Sequence, residues 1–165
     1  MKRYFLALVT APGVVFHELG HFIFCWLSGV KVYKVRLFRF GNPAGYVEHE
    51  EPHGLVQSIL ISFGPLSTNS LVSLIAFSRF ETPYLQWQNI ILLWLGFVVA
   101  LHSIPSTGDA ATLTSIANHK VRRNPLAILA YPFVLIIYIL NFLKRYRLHV
   151  IYAGLLFFLG SIYLK

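Results

Sequence analysis

The chain has 165 residues, a length that suits one domain, of which 56% are hydrophobic, 16% aromatic and only 12% charged. That composition excludes a disordered chain or an ordinary soluble domain and reads as an integral membrane protein in contact with lipid. The net charge of +8 falls in short links between apolar segments, which suits anionic headgroups; a nucleic-acid-binding face would need a soluble surface that this chain lacks.

The first apolar segment, Tyr4 to Leu27, is long enough to cross a hydrocarbon core of about 30 Å at about 1.5 Å per residue. Lys2 and Arg3 before it imitate the start of a signal peptide. Cleavage near Ala11 would leave too little apolar helix to carry His17, so an uncleaved span is expected. Pro12-Gly13 should kink it or mark the start of its rigid half, and Ser28-Gly29 should end it.

Inside this segment stands Phe16-His17-Glu18-Leu19-Gly20-His21-Phe22, an H-E-x-x-H pattern. Residues four apart lie about 40° apart around a helix, so His17 and His21 leave one face and can share a metal ion. Glu18 then points to the edge of that face, where a general base for hydrolysis belongs. Ionisable groups in an apolar span each cost about 2.5–3.5 kcal/mol even on a lenient scale. A pair of core histidines bonded to Glu18 would satisfy the groups, but a zinc site explains the spacing as well. Cys25, the single cysteine, excludes an intrachain disulfide. It lies on the same side of the helix four residues past His21, and is read as a small buried residue rather than a ligand.

From Val30 to Phe40 apolar and basic residues nearly alternate, predicting a strand with one wet face; Gly41 to Gly45 is turn chemistry and Tyr46 to His49 a returning strand. The adjoining Glu48-His49-Glu50-Glu51-Pro52-His53 cluster has ligands enough for a second metal site but is read as solvated loop charge. A second span is expected from Leu55 to Phe77, with a polar middle and a break at Gly64-Pro65. Gly64, Thr68 and Asn69 there are candidates for substrate contact or support of the metal ligands, on the argument that a broken helix at membrane depth must face protein or water. A short link runs from Ser78 to Pro83.

A third span is expected from Leu85 to Ile104, ending in His102-Ser103-Ile104-Pro105-Ser106-Thr107-Gly108-Asp109. Asp109 is the only aspartate. It suits two roles: partner of Ser106 in a capping box that opens a short helix from Asp109 to Asn118, or third ligand of a hydrolytic metal. His102 competes for the ligand role or supports a ligand by hydrogen bonding. Two more apolar segments, Leu126 to Leu143 and His149 to Leu164, hold no acidic residue and read as scaffold.

The expected fold is therefore an all-α polytopic membrane protein of about five transmembrane helices with a small β-hairpin after the first. It forms one domain over residues 1–165, with a core from 4 to 119 and scaffold helices from 126 to 164. If the spans alternate, the candidate ligands converge near one surface. That side would hold eight basic residues (Lys31, Lys34, Arg36, Arg39, Lys120, Arg122, Arg123, Lys165) against six (Lys2, Arg3, Arg79, Lys144, Arg145, Arg147), a slight vote for a cytoplasmic site.

Taken together, His17-Glu18-x-x-His21 in a first span, a hairpin, a Gly/Asn-bearing second span and Asp109 after the third resemble the site-2-protease-like intramembrane zinc metalloproteases. The resemblance covers Val14 to Asp109. The aspartate stands in Gly108-Asp109-Ala110 where that family has Leu-Asp-Gly, and the family's second-span spacing from Gly64 lands on Thr68, one residue before Asn69. The resemblance implies one Zn2+ held by His17, His21 and Asp109, Glu18 as catalytic base, a transmembrane protein or peptide as substrate, and a multi-pass protein of the cell membrane whose site opens toward the cytoplasm. Two other readings are a proteolytically silent zinc binder of the same fold and an ion or small-solute transporter. Retention of Glu18 speaks against the first, and the expected absence of a repeated discontinuous helix against the second.

Overall fold

The computed structural model describes residues 2–80, 86–122 and 124–164. Leu85, the Glu81–Pro83 part of the second link, Arg123 and Lys165 lie outside the described residues. The described chain is mostly helical: α1 (Lys2–Leu27), strands β1 (Val32–Arg36) and β2 (Tyr46–His49), α2 (Leu55–Ser78), α3 (Trp87–Leu101), α4 (Thr107–Val121), a 3-10 stretch (Pro125–Ala130) running into α5 (Tyr131–Lys144), and α6 (Leu148–Tyr163). Among the described residues three helical stretches are long and apolar enough to cross a membrane, Tyr4–Leu27, Leu55–Ser78 and Pro125–Lys144; α3 and α6 are apolar but shorter.

Both prolines expected to interrupt helices sit inside continuous ones, Pro12 in α1 and Pro65 in α2. For α2 the reason is visible. A proline deprives the carbonyl four residues earlier of its amide partner; that carbonyl, Ile61, is satisfied from α1 by His21 instead. The helices also meet backbone to backbone. A Cβ on Gly20 would lie 2.7 Å from the Pro65 Cα, and one on Gly64 would lie 2.8 Å from the Gly20 carbonyl oxygen. Small residues at a helix crossing are how apolar helices associate where lipid removes the hydrophobic drive between them.

The hairpin forms where expected, but β1 is shorter than the alternation suggested because the turn begins at residue 37 and closes through Arg39 N–H to the Ala44 carbonyl, 2.7 Å. The strands pair antiparallel, Val35 opposite Val47 and Arg36 opposite Tyr46. The hairpin lies along α1: Val30 packs with Cys25, Gly45 faces Glu18, and the Phe40 ring meets Tyr4 at 5.5 Å.

α2 is the axis for everything after it. α3 lines its second half, with Asn69 Nδ2 donating to the Val99 carbonyl (3.2 Å) and Phe77 against Phe97, whereas α4 lines its first half, Ala110 and Leu113 packing near Ile59 and Phe63. α5 likewise flanks the first half, through Phe133 against Phe63 and through Val134 and Ile137, and α6 the second half, where the Tyr152 hydroxyl bonds Ser70 at 2.7 Å and Phe157 meets Phe77 edge to face. α5 and α6 make little contact with each other. They are thus consecutive pieces of one ascent along α2 and not a helical hairpin, and α3 and α4 are consecutive pieces of one descent. This corrects two sequence readings. The chain does contain two interrupted helices, and the side-by-side count of basic residues fails, because Lys144 lies against Ile104 and Pro105, at the same height as the end of α3.

The close α1–α2 crossing predicts that Gly20→Ala destabilises the metal-free protein. Alanine gains about 1 kcal/mol of helix propensity, but its methyl meets backbone that cannot swing aside, an overpacking cost of about 1–3 kcal/mol. A net loss of up to about 2 kcal/mol in unfolding measured in detergent is expected; a stabilised variant would mean that the helices stand further apart.

Candidate metal centre

Two backbone carbonyls aim the two histidines. The Ile61 carbonyl, freed by Pro65, accepts from His21 Nδ1 at 3.0 Å. The His102 carbonyl, beyond the last helical turn of α3, accepts from His17 Nδ1 at 2.7 Å. A carbonyl only accepts, so each Nδ1 carries the proton and each Nε2 keeps a lone pair, the arrangement that metal-binding imidazoles need.

The sequence offered Asp109 two uses; the structure shows the capping one, made by a single oxygen, and leaves the other oxygen free for a ligand role. Oδ2 accepts from the Ser106 backbone N–H (2.6 Å) and hydroxyl (2.7 Å), while Ser106 Oγ accepts from the Asp109 N–H, closing the capping box at the start of α4. Oδ1 is left to face His21 Nε2 at 3.3 Å. α4 begins at Thr107, two residues before the expected start, because Ser106 is its cap.

An imidazole lone pair opposite a carboxylate oxygen is a pair of acceptors, which a cation between them reconciles. Two donors bound at about 2.0–2.1 Å to a tetrahedral ion stand roughly 3.3 Å apart, which is the His21–Asp109 separation. Ligand atoms of His17, His21 and Asp109 all lie within 4.8 Å of one another. The donor set therefore fits a metal ion, and two imidazoles with one carboxylate suit zinc.

These residues line a cavity of about 390 Å3. Glu18 lines it too, is buried, and stays outside the three-ligand group. The opposite wall is the hairpin, from Pro43 to Val47 with His49, and α2 adds Ser58, Ile61 and Ser62. A Cβ on Gly45 would stand 2.6 Å from Glu18 Cγ, so glycine lets the hairpin close over the carboxylate.

The other candidates do different work. His102 lines the cavity, but its Nδ1 donates to the Val98 carbonyl at 2.8 Å, and it aids His17 through its own carbonyl rather than its ring. Asn69 is fully buried and ties three helices, donating to Gly13 of α1 (3.3 Å) and Val99 of α3 (3.2 Å). Neither Asn69, Thr68 nor Gly64 lines the cavity; Gly64 serves the helix crossing. Cys25 is buried beside Val30 and Ile61. Among the described residues His49 and His53 join no metal-holding group: His49 Nδ1 donates to the Glu50 carbonyl, and the His53 carbonyl takes the Lys120 ammonium. Sequence reasoning missed Pro65 as the source of a free carbonyl and Gly45 as the seat of Glu18; the polar middle expected of the second span does reach the cavity, through Ser58 and Ser62. The free carbonyl was legible, since a helical proline always frees the carbonyl four residues before it.

The chain matches no family model, no curated protein and no solved structure.

Because the two oxygens of Asp109 have separate work, Asp109→Asn should split them. The cap survives with a loss of no more than about 1 kcal/mol, the value of one carboxylate charge beside a helix N-terminus, while metal content falls to background. Thermal unfolding and elemental analysis read the two separately. Full metal content in this variant would remove Asp109 from the ligand set.

Proposed function

We propose that this protein is an intramembrane zinc endopeptidase that hydrolyses peptide bonds of membrane-embedded proteins or peptides. The observation that carries the reading is Glu18 buried in the same cavity as two carbonyl-oriented histidines and Asp109, yet outside the ligand group. A purely structural site needs no such carboxylate.

In this reading His17, His21 and Asp109 hold the ion. Bound there, zinc supplies a water of pKa about 7 and polarises a peptide carbonyl. Glu18 takes the proton from the attacking water and delivers it to the leaving amine. The hairpin that walls the cavity excludes bulk water, and its strand edge offers backbone partners to an extended substrate segment.

A multi-pass position in the cell membrane is part of the proposal. It is supported by exposed apolar side chains along the helices, among them Phe5, Leu8, Leu71, Ile75, Ile151 and Leu155, and by exposed Trp26 and Trp87, which lie toward opposite ends of the bundle as interfacial anchors would. A cytoplasmic opening of the site rests on the resemblance alone. Two interrupted helices favour a second reading, an ion or small-solute path. Against it, the carbonyls exposed at the α3–α4 interruption are not turned to a cavity; Lys144 and Asn141 occupy them.

Glu18→Gln keeps size and hydrogen bonding but removes the base. It should retain zinc and fold normally while cleavage of transmembrane substrates falls by about 10^2- to 10^4-fold, with uncleaved substrate crosslinking to β2. Equal turnover in variant and wild type contradicts the mechanism. Zinc bound with no turnover in either identifies a silent binder.

A further inference from the structure

The link between α3 and α4, residues 102–106, holds both ends of the site. Its first residue gives the carbonyl that orients His17, and its last gives the N–H and hydroxyl that hold Asp109. Between them Ile104 and Pro105 are buried, and their carbonyls belong to no helix. Buried carbonyls need partners. The partners come from the end of α5, in a segment read from sequence as scaffold. Lys144 Nζ donates to the Ile104 carbonyl at 3.0 Å and to the Pro105 carbonyl at 3.1 Å, and Asn141 Nδ2 donates to the Pro105 carbonyl at 3.0 Å.

We propose that Lys144 and Asn141 are positioning residues of the metal centre, gripping the 102–106 link by its two middle carbonyls so that its ends hold His17 and Asp109 in ligating register. The inference rests on the metal-centre reading. A link of five residues gripped at its middle has little freedom left at either end, whereas an ungripped one lets the His102 carbonyl and Ser106 drift independently. Lysine is suited to the work because one ammonium reaches two adjacent carbonyls with separate donors. A positive charge near Asp109 also offsets part of the negative charge that Glu18 and Asp109 bring to one cavity.

The test uses full-length Lys144→Met, Lys144→Arg and Asn141→Leu proteins. Zinc affinity is measured by competition with a chelator, ligand geometry by the visible spectrum of the cobalt(II)-substituted protein, and intrinsic stability by unfolding of the metal-free form. Lys144→Met should weaken zinc binding by about 10-fold, the low end of the effect of removing support behind a ligand, and should alter the cobalt spectrum. Metal-free unfolding also becomes easier, because two buried carbonyls lose a partner, but the altered cobalt spectrum is not explained by that loss. Lys144→Arg should restore affinity and spectrum, and Asn141→Leu should move affinity in the same direction as Lys144→Met. Wild-type affinity and spectrum in both Lys144→Met and Asn141→Leu overturn the proposal. So does a loss of affinity that leaves the cobalt spectrum unchanged, is matched by equal destabilisation of the metal-free protein and is not repaired by arginine. If Lys144→Met fails to accumulate, Asn141→Leu decides by the same criteria. A wild-type protein that binds no zinc instead removes the metal-centre reading, and the proposal with it.

Discussion

Ile61 lies four residues before Pro65, so its carbonyl has no amide to accept from within α2, and it accepts Nδ1–H of His21 instead. Much else hangs on that bond. It fixes the tautomer of His21 and turns Nε2 toward Asp109. It also satisfies a carbonyl that could not stay unpaired in apolar surroundings, which is why α2 can carry a proline and remain one helix. The bond requires α1 and α2 to lie almost in backbone contact, and Gly20 and Gly64 permit that approach. One substitution in the chain, proline for an ordinary residue, thus couples helix geometry to ligand orientation.

The second histidine obeys the same logic with a different source of carbonyl. α3 stops at Leu101, and the His102 carbonyl just beyond its end turns to His17. Interrupting a helix midway along α2 therefore does three things: it releases a carbonyl for His17, starts α4 so that its capping residue holds Asp109, and leaves two further carbonyls that α5 must satisfy. The site is assembled from helix ends and a helical proline, the places where backbone groups are available for work other than holding a helix together.

The site was more legible in the sequence than the packing around it. His17, Glu18 and His21 could be named because helical spacing and the cost of charge in an apolar segment constrain such residues strongly, whereas Asp109 stood out as the only aspartate, with a cap and a ligand role both open to it. The hairpin was legible from its alternation and turn residues. The interrupted helices were not. An apolar segment such as 126–143 or 149–164 looks the same in sequence whether it crosses alone or shares a crossing with its neighbour, and only contacts with α2 distinguish the two. For the same reason Lys144 was read as a link residue at a membrane surface, when its neighbours are Ile104 and Pro105. Asn69 and Gly64 were noticed as unusual in an apolar span. Polarity alone could not say that they serve helix crossings rather than the cavity.

The account stands or falls on whether His17, His21 and Asp109 bind a metal. Elemental analysis of the protein purified without added metal tests it most directly, with the His17→Ala/His21→Ala protein prepared alongside. One zinc per chain in the wild type and none in the double variant is the result the account predicts. Zinc persisting at full stoichiometry in the double variant, or a wild-type protein that takes up no divalent metal at all, would contradict it.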